Sequence, residues 1–105
     1  LYQPAHPSIW RMIQYISDAS KEAGIPVSVC GEMASNPLFA ACFLGLGIDD
    51  LSMNTSSIPA VKEILCSHSL AEFKKISSRV VTARTFADVN LIFNEWKRSL
   101  ELHHI

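Results

Sequence analysis

Ile25-Pro26-Val27-Ser28-Val29-Cys30-Gly31-Glu32-Met33-Ala34 is the stretch on which the fold turns. Ile25 to Val29 is short, apolar and β-branched, so residues 25–30 read as a strand. Its nearly continuous hydrophobicity suits a parallel strand covered on both faces better than a half-wet antiparallel one. Gly31 then opens a turn and lets backbone approach a ligand with no side chain between them. Cys30 therefore stands at the C-terminal end of a strand, where parallel α/β architectures collect their chemistry. On burial habits alone, the same cysteine reads more often as a small packed hydrophobe.

Working outward, Pro4 and Pro7 bracket an extended entry, and Pro7 suits the first turn of a helix. Ile9, Ile13, Ile16, Ala19 and Ala23 recur at three- and four-residue spacing, predicting an amphipathic helix with one buried stripe that Gly24 ends. Asn36-Pro37 reads as a cap followed by Pro at the first helical position. Leu38 to Leu44 then forms a short helix ended by Gly45 and Gly47. Ile48 to Met53 holds a second strand centred on Leu51-Ser52-Met53. Ser57 caps another helix with Pro59 in its first turn and Val61, Ile64 and Leu65 on one side. Ser69-Leu70-Ala71-Glu72 is a capping box opening a further helix. Thr85-Phe86-Ala87-Asp88 has the same shape and opens the last, which carries Val89, Ile92, Phe93, Trp96 and Leu100.

Strands separated by helical crossovers imply a parallel sheet. Two strands leave edges and apolar faces uncovered. The expected fold class is therefore α/β: the last two strand-helix units of a TIM (β/α)8 barrel plus C-terminal helices that seal it. Residues 1–105 would form an incomplete part of that domain. Leu38, Phe39, Phe43 and Val89 are expected to find partners in the rest of the barrel. Leu1-Tyr2-Gln3-Pro4, with no Met and no signal-peptide pattern, reads as a piece of something longer.

The chain has 105 residues, 49% hydrophobic and 18% charged, which excludes a disordered segment. A net charge of −1 gives no electrostatic case for nucleic acid or an anionic membrane. The longest apolar run, Leu38 to Leu46, is far short of the ~18 residues a membrane helix needs. Cys30, Cys42 and Cys66 are odd in number and widely spaced, which makes neither a metal pattern nor a disulfide framework. Reduced thiols in a cytosolic protein is the simple reading.

Several separated segments together resemble one family. They are Leu1-Tyr2-Gln3-Pro4-Ala5-His6-Pro7, Cys30-Gly31-Glu32-Met33-Ala34, Leu44-Gly45-Leu46-Gly47, Leu51-Ser52-Met53-Asn54 and Ser57-Ile58-Pro59-Ala60-Val61-Lys62. In order and spacing they are similar to the C-terminal phosphoenolpyruvate-binding barrel of Enzyme I, the phosphoenolpyruvate-protein phosphotransferase, or its nitrogen-related paralogue. Pyruvate phosphate dikinase and phosphoenolpyruvate synthase share the Cys-Gly strand end but continue differently. The resemblance implies a cytoplasmic, dimeric enzyme that moves the phosphoryl group of phosphoenolpyruvate to its own histidine and then to a small phosphocarrier protein. It implies Mg²⁺, with ligands upstream of Leu1, and a cysteine matching Cys30 that protonates the enolate to pyruvate. A free thiol, with a pKa near 8.5, is mostly protonated at neutral pH and can donate. The family's phosphate-binding arginines would also lie upstream, since Arg11 matches none of them, so the 105 residues alone are expected to be inactive. The alternatives are a non-catalytic dimerisation or binding module derived from the same barrel, or a relative of the pyruvate phosphate dikinase or phosphoenolpyruvate synthase type.

The other chemistry-bearing residues divide between site and scaffold. Glu32 reads either as orienting Cys30 or as a loop carboxylate bonding backbone amides. His6, between two prolines, is read as surface or packing, and His68 as complementing a helix end. Trp10 and Trp96 read as core or interface aromatics. Asp49-Asp50 reads as a turn, because neighbours on an extended chain point oppositely. Lys74-Lys75, Arg79 and Arg84 read as a solvated helix face, and Cys42 and Cys66 as structural or incidental.

Overall fold

The protein is seen in a computed structural model that describes residues 6–102. The readings of Leu1–Ala5, including Pro4, lie outside these residues. Helix α1 (Pro7–Ala23) starts where Pro7 meets a His6 cap, the imidazole Nδ1 accepting the Ser8 N–H at 3.1 Å. It ends in a Schellman arrangement: Gly24 N–H bonds the Lys21 carbonyl at 3.2 Å and Ile25 N–H the Ser20 carbonyl at 2.8 Å.

The buried face of α1 differs from the expected isoleucine stripe. Pro7, Trp10 and Ser17 turn inward, whereas Ile16 is 44% exposed, Met12 61% and Tyr15 75%, with Ala19 and Ala23 also exposed. The reason is local chemistry. Ser17 donates its hydroxyl to the Leu46 carbonyl at 2.8 Å, so this small polar residue is buried without an unsatisfied group. Its size lets the chain at Leu46-Gly47 come close, and the apolar residues on the far side of α1 are left outward.

Strands β1 (Ser28–Cys30) and β2 (Asp50–Ser52) pair in parallel, with Ser28 opposite Asp50, Val29 opposite Leu51 and Cys30 opposite Ser52. They form a two-stranded sheet. Both are shorter than the sequence suggests. Pro26 has no N–H for a ladder, and among the described residues each strand has only one hydrogen-bonding neighbour. Val29 and Leu51 pack against the core, while Ser28, Cys30, Asp50 and Ser52 are exposed. The expectation of strands covered on both faces is thus corrected: among the described residues nothing lies over the second face. Asp50 is the first residue of β2 rather than part of a turn.

A short helix α2 (Glu32–Ser35), which hydrophobic periodicity did not announce, follows β1. Helix α3 (Pro37–Gly45) begins as expected, Asn36 Oδ1 accepting the N–H groups of Leu38 at 3.0 Å and Phe39 at 3.3 Å. Helix α4 (Ile58–Ser67) is entered through a 3-10 turn, Thr55–Ser57. That turn already holds Ser57 at φ −88° and ψ −17°, so its hydroxyl makes no cap bond, contrary to expectation. Helix α5 (Leu70–Thr82) has the expected Ser69 cap, with Oγ accepting Glu72 N–H at 3.2 Å. Helix α6 (Phe86–Leu102) has the Thr85 cap, with Oγ1 accepting Asp88 N–H at 3.1 Å. No helix among the described residues is long and apolar enough to cross a membrane.

The C-terminal helices complete the core. Helix α5 packs on α1 and α3, and α6 packs on α5. Trp10 is 0% exposed, its ring 5.4 Å from Phe39, 5.0 Å from Phe43 and 5.6 Å from Phe93. Trp96 is also buried, 6.1 Å from Phe73. Phe43 and Val89 are fully buried within this chain, which corrects the expectation that they await partners elsewhere. Leu38 and Phe39 remain partly buried. Arg11 links α1 to the end of α5, donating from Nη1 to the Val81 carbonyl at 3.2 Å and the Ala83 carbonyl at 2.9 Å. The α5 cations are solvated as expected, and Arg79 pairs with Glu95 at 3.2 Å in the open, a contact worth about 0–1 kcal/mol.

Helices α3 and α5 meet at Gly45 with no spare volume. A methyl group there would stand 2.1 Å from Ser77 Oγ and 2.3 Å from the Phe73 carbonyl oxygen. Ser77 donates its hydroxyl toward the Cys42 carbonyl at 2.9 Å and the Phe73 carbonyl at 2.7 Å. Burial in this seam pushes the Cys42 thiol up to about 12, with a hydrogen bond from Ser77 opposing the shift. The folded state therefore keeps the Cys42 proton where the unfolded chain, with an ordinary thiol pKa of about 8.5, releases it. The unfolded state then binds fewer protons, so Cys42 makes stability fall as pH rises between those values. Native-state alkylation should modify the exposed Cys30 and Cys66 and spare Cys42. Unfolding curves from pH 8 to 11 should lose part of their alkaline slope in Cys42→Ala; an unchanged slope would refute the assignment.

Candidate functional site

Three local decisions build the open end of the sheet. The strand pairing sets Cys30 beside Ser52. Gly31 N–H then donates to the Ser52 carbonyl at 3.3 Å, tying the two strand ends together one residue beyond the ladder. Gly31 itself adopts φ +97° and ψ −158°, a conformation that other residues adopt only under strain. The space where its Cβ would lie is empty to 4 Å, so the demand for glycine comes from the backbone and not from crowding. The chain can thus leave the strand at Cys30 and enter α2 at once.

The result is a hollow of about 290 Å³ at the C-terminal ends of both strands, lined by Gly31, Glu32, Ser35, Ser52, Met53 and Asn54. Cys30 adjoins it through Gly31 and through its register partner Ser52, and its thiol is exposed. Glu32 lines the hollow as the first residue of α2. Ser35 is engaged, its hydroxyl donating to the Gly31 carbonyl at 3.3 Å. The lining has one carboxylate and no cation. The arrangement can admit a small molecule and present a thiol to it, but supplies nothing to neutralise a phosphate.

The remaining sequence candidates lie apart from this lining. His6 caps α1. His68 closes α4, its Nδ1 3.2 Å from Glu72 Oε2. Cys66 lines a different hollow, between β2 and α4, together with Asp49 and Lys62. No three His, Cys, Asp or Glu side chains among the described residues come together as a metal cage, so these residues do not by themselves fit a Mg²⁺ site. Sequence reasoning did not single out Ser52 or Asn54 as site residues. The signal was present in the strand reading, because Ser52 is the position that pairing brings beside Cys30.

Residues 1–70 match the family described as PEP-utilising enzyme, PEP-binding domain. Proteins named phosphoenolpyruvate-protein phosphotransferase are similar over most of the chain. One from Buchnera aphidicola subsp. Baizongia pistaciae is 33% identical over 94 residues, covering 90% of this chain and 16% of that protein. The one from Chlamydia trachomatis is 36% identical over 85 residues, covering 81% of this chain and 15% of that protein. The one from Staphylococcus carnosus is 33% identical over 99 residues, covering 94% and 17%. The chain thus spans only about a sixth of the length of the curated relatives it matches. Most of α5 and all of α6 lie beyond the family match.

Proposed function

The chain belongs to the family of PEP-utilising enzymes, PEP-binding domain, and from that premise we propose that it is the C-terminal part of the phosphoenolpyruvate-binding barrel of a phosphoenolpyruvate-protein phosphotransferase. The observation that carries the reading is the placement of Cys30: exposed, last in β1, on the open face of the sheet, and followed by the Gly31 turn. Two further features support a barrel completed by other strands. Among the described residues each strand has a free edge, and the open sheet face carries Ser28, Cys30, Asp50 and Ser52, as the lining of a barrel would. The outward apolar face of α1, with Met12, Tyr15 and Ile16, is the surface a neighbouring barrel helix would cover.

In this reading phosphoenolpyruvate gives its phosphoryl group to a histidine elsewhere in the polypeptide, leaving the enolate of pyruvate. The Cys30 S–H transfers its proton to the terminal enolate carbon. A C–H bond forms, pyruvate leaves, and the thiolate regains a proton from solvent. The phosphohistidine then serves a small phosphocarrier protein. Mg²⁺, when bound, would balance the charge of the phosphorylated substrate, with its ligands and the phosphate-binding arginines supplied by other segments. Cytoplasmic location and dimerisation through the barrel belong to the same proposal.

Phosphoenolpyruvate should slow iodoacetamide labelling of Cys30 in the full polypeptide, while Cys66, exposed in another hollow, gives an unprotected internal reference. The isolated 105 residues should show no such protection and release no pyruvate from phosphoenolpyruvate. Equal labelling of Cys30 with and without saturating phosphoenolpyruvate in the full polypeptide would overturn the reading.

A further inference from the structure

Ser52 is the one side chain that strand register places beside Cys30. Cys30 and Ser52 are both last in their strands and both exposed, so their side chains share the open face at its C-terminal rim. The Ser52 carbonyl is committed to Gly31 N–H at 3.3 Å, which fixes the residue's backbone against the Cys30 turn. Its hydroxyl is not committed: among the described residues it has no hydrogen-bond partner, whereas Ser35, the other serine lining the hollow, is bonded to Gly31. An exposed hydroxyl on a fixed backbone, at the wall of a hollow and beside a thiol, is accessible to a small molecule in that hollow.

We propose that Ser52 is a substrate-contacting residue whose O–H donates to an oxygen of the bound three-carbon acid and so sets the carbon awaiting protonation opposite the Cys30 thiol. This rests on the phosphotransferase reading of the site and names a residue that the reading does not require. The donor suits the chemistry, because an enolate gathers negative charge on oxygen as the phosphoryl group leaves, and a hydroxyl aimed at that oxygen bonds it more strongly than it bonds the neutral precursor. Glu32 from α2 and Asp50 from β2 are the titratable groups flanking the pair, and neither can donate as a carboxylate.

The test compares Ser52→Ala with Ser52→Thr in the full phosphotransferase, with phosphoenolpyruvate as the probe. A hydrogen bond to a charged group contributes enough that its loss should lower kcat/KM for pyruvate formation by about ten- to a hundredfold. Ser52→Thr keeps the hydroxyl and a β-branched shape that suits a strand, and should restore most of the rate. Protection of Cys30 from alkylation should need correspondingly more phosphoenolpyruvate in Ser52→Ala, a readout independent of turnover. Unchanged kinetics and protection in Ser52→Ala, or an equal loss in Ser52→Ala and Ser52→Thr, would overturn the proposal. Absence of phosphoenolpyruvate protection at Cys30 in the unsubstituted protein would instead remove the phosphotransferase reading on which it rests.

Discussion

Replacing Cys30 with alanine in the full phosphotransferase is expected to slow pyruvate release by a factor on the order of 10² to 10⁴, the range that one positioned proton donor contributes. Binding of phosphoenolpyruvate should be little affected. The thiol is exposed and lies at the rim of the hollow rather than in a packed seam, so its removal leaves no cavity in the core. In the proposed reaction phosphoryl loss from phosphoenolpyruvate precedes the proton transfer, so a first half-reaction that loads the histidine should survive while the enolate accumulates or leaves slowly. Rapid-quench measurement of phosphohistidine formation beside pyruvate release separates the two steps. Equal loss of substrate affinity and turnover would mark Cys30 as a structural residue.

Trp10→Ala should remove about 3–5 kcal/mol of folding stability, the usual cost of truncating a large buried aromatic. Few residues in the chain are placed to matter as much. Trp10 is fully buried and its ring meets Phe39, Phe43 and Phe93, while Phe39 and Phe93 themselves approach to 4.9 Å. These rings come from α1, α3 and α6, so the deletion opens a void that three helices share. Domains of ordinary stability have only about 5–15 kcal/mol in total. Trp10→Phe should cost much less. The indole N–H is buried with no acceptor among the described residues, so losing it breaks no hydrogen bond. Urea midpoints of the two variants decide the matter; similar losses in both would place the stabilisation elsewhere.

Local signals along the chain yielded reliable local structure. Asn36, Ser69 and Thr85 cap the helices expected of them because a cap is a contact between residues two or three apart. The two short parallel strands were legible from their apolar runs and the helical crossover between them, and the turn from Gly31 itself. Ser57 failed as a cap because the preceding 3-10 turn had already bent the backbone into helical angles. The inward face of α1 was illegible because Ser17 is buried through one bond to Leu46, a contact across 29 positions that no periodicity encodes. Phe43 and Val89 were misplaced likewise, since the helices that cover them lie far along the chain. Of the site, Cys30 and Glu32 could be named from motif alone, whereas Ser52 needed the register of two strands.

The aromatic cluster sets an order of events during synthesis. Trp10 leaves the ribosome well before Phe93, which helps enclose it and is made more than eighty positions later. Until that last helix emerges, the indole, Phe39 and Phe43 remain uncovered on a nascent polypeptide, open to chaperones and to self-association. A translational pause anywhere between α3 and α6 would prolong that exposure, so codon choice in this interval bears directly on the yield of folded protein.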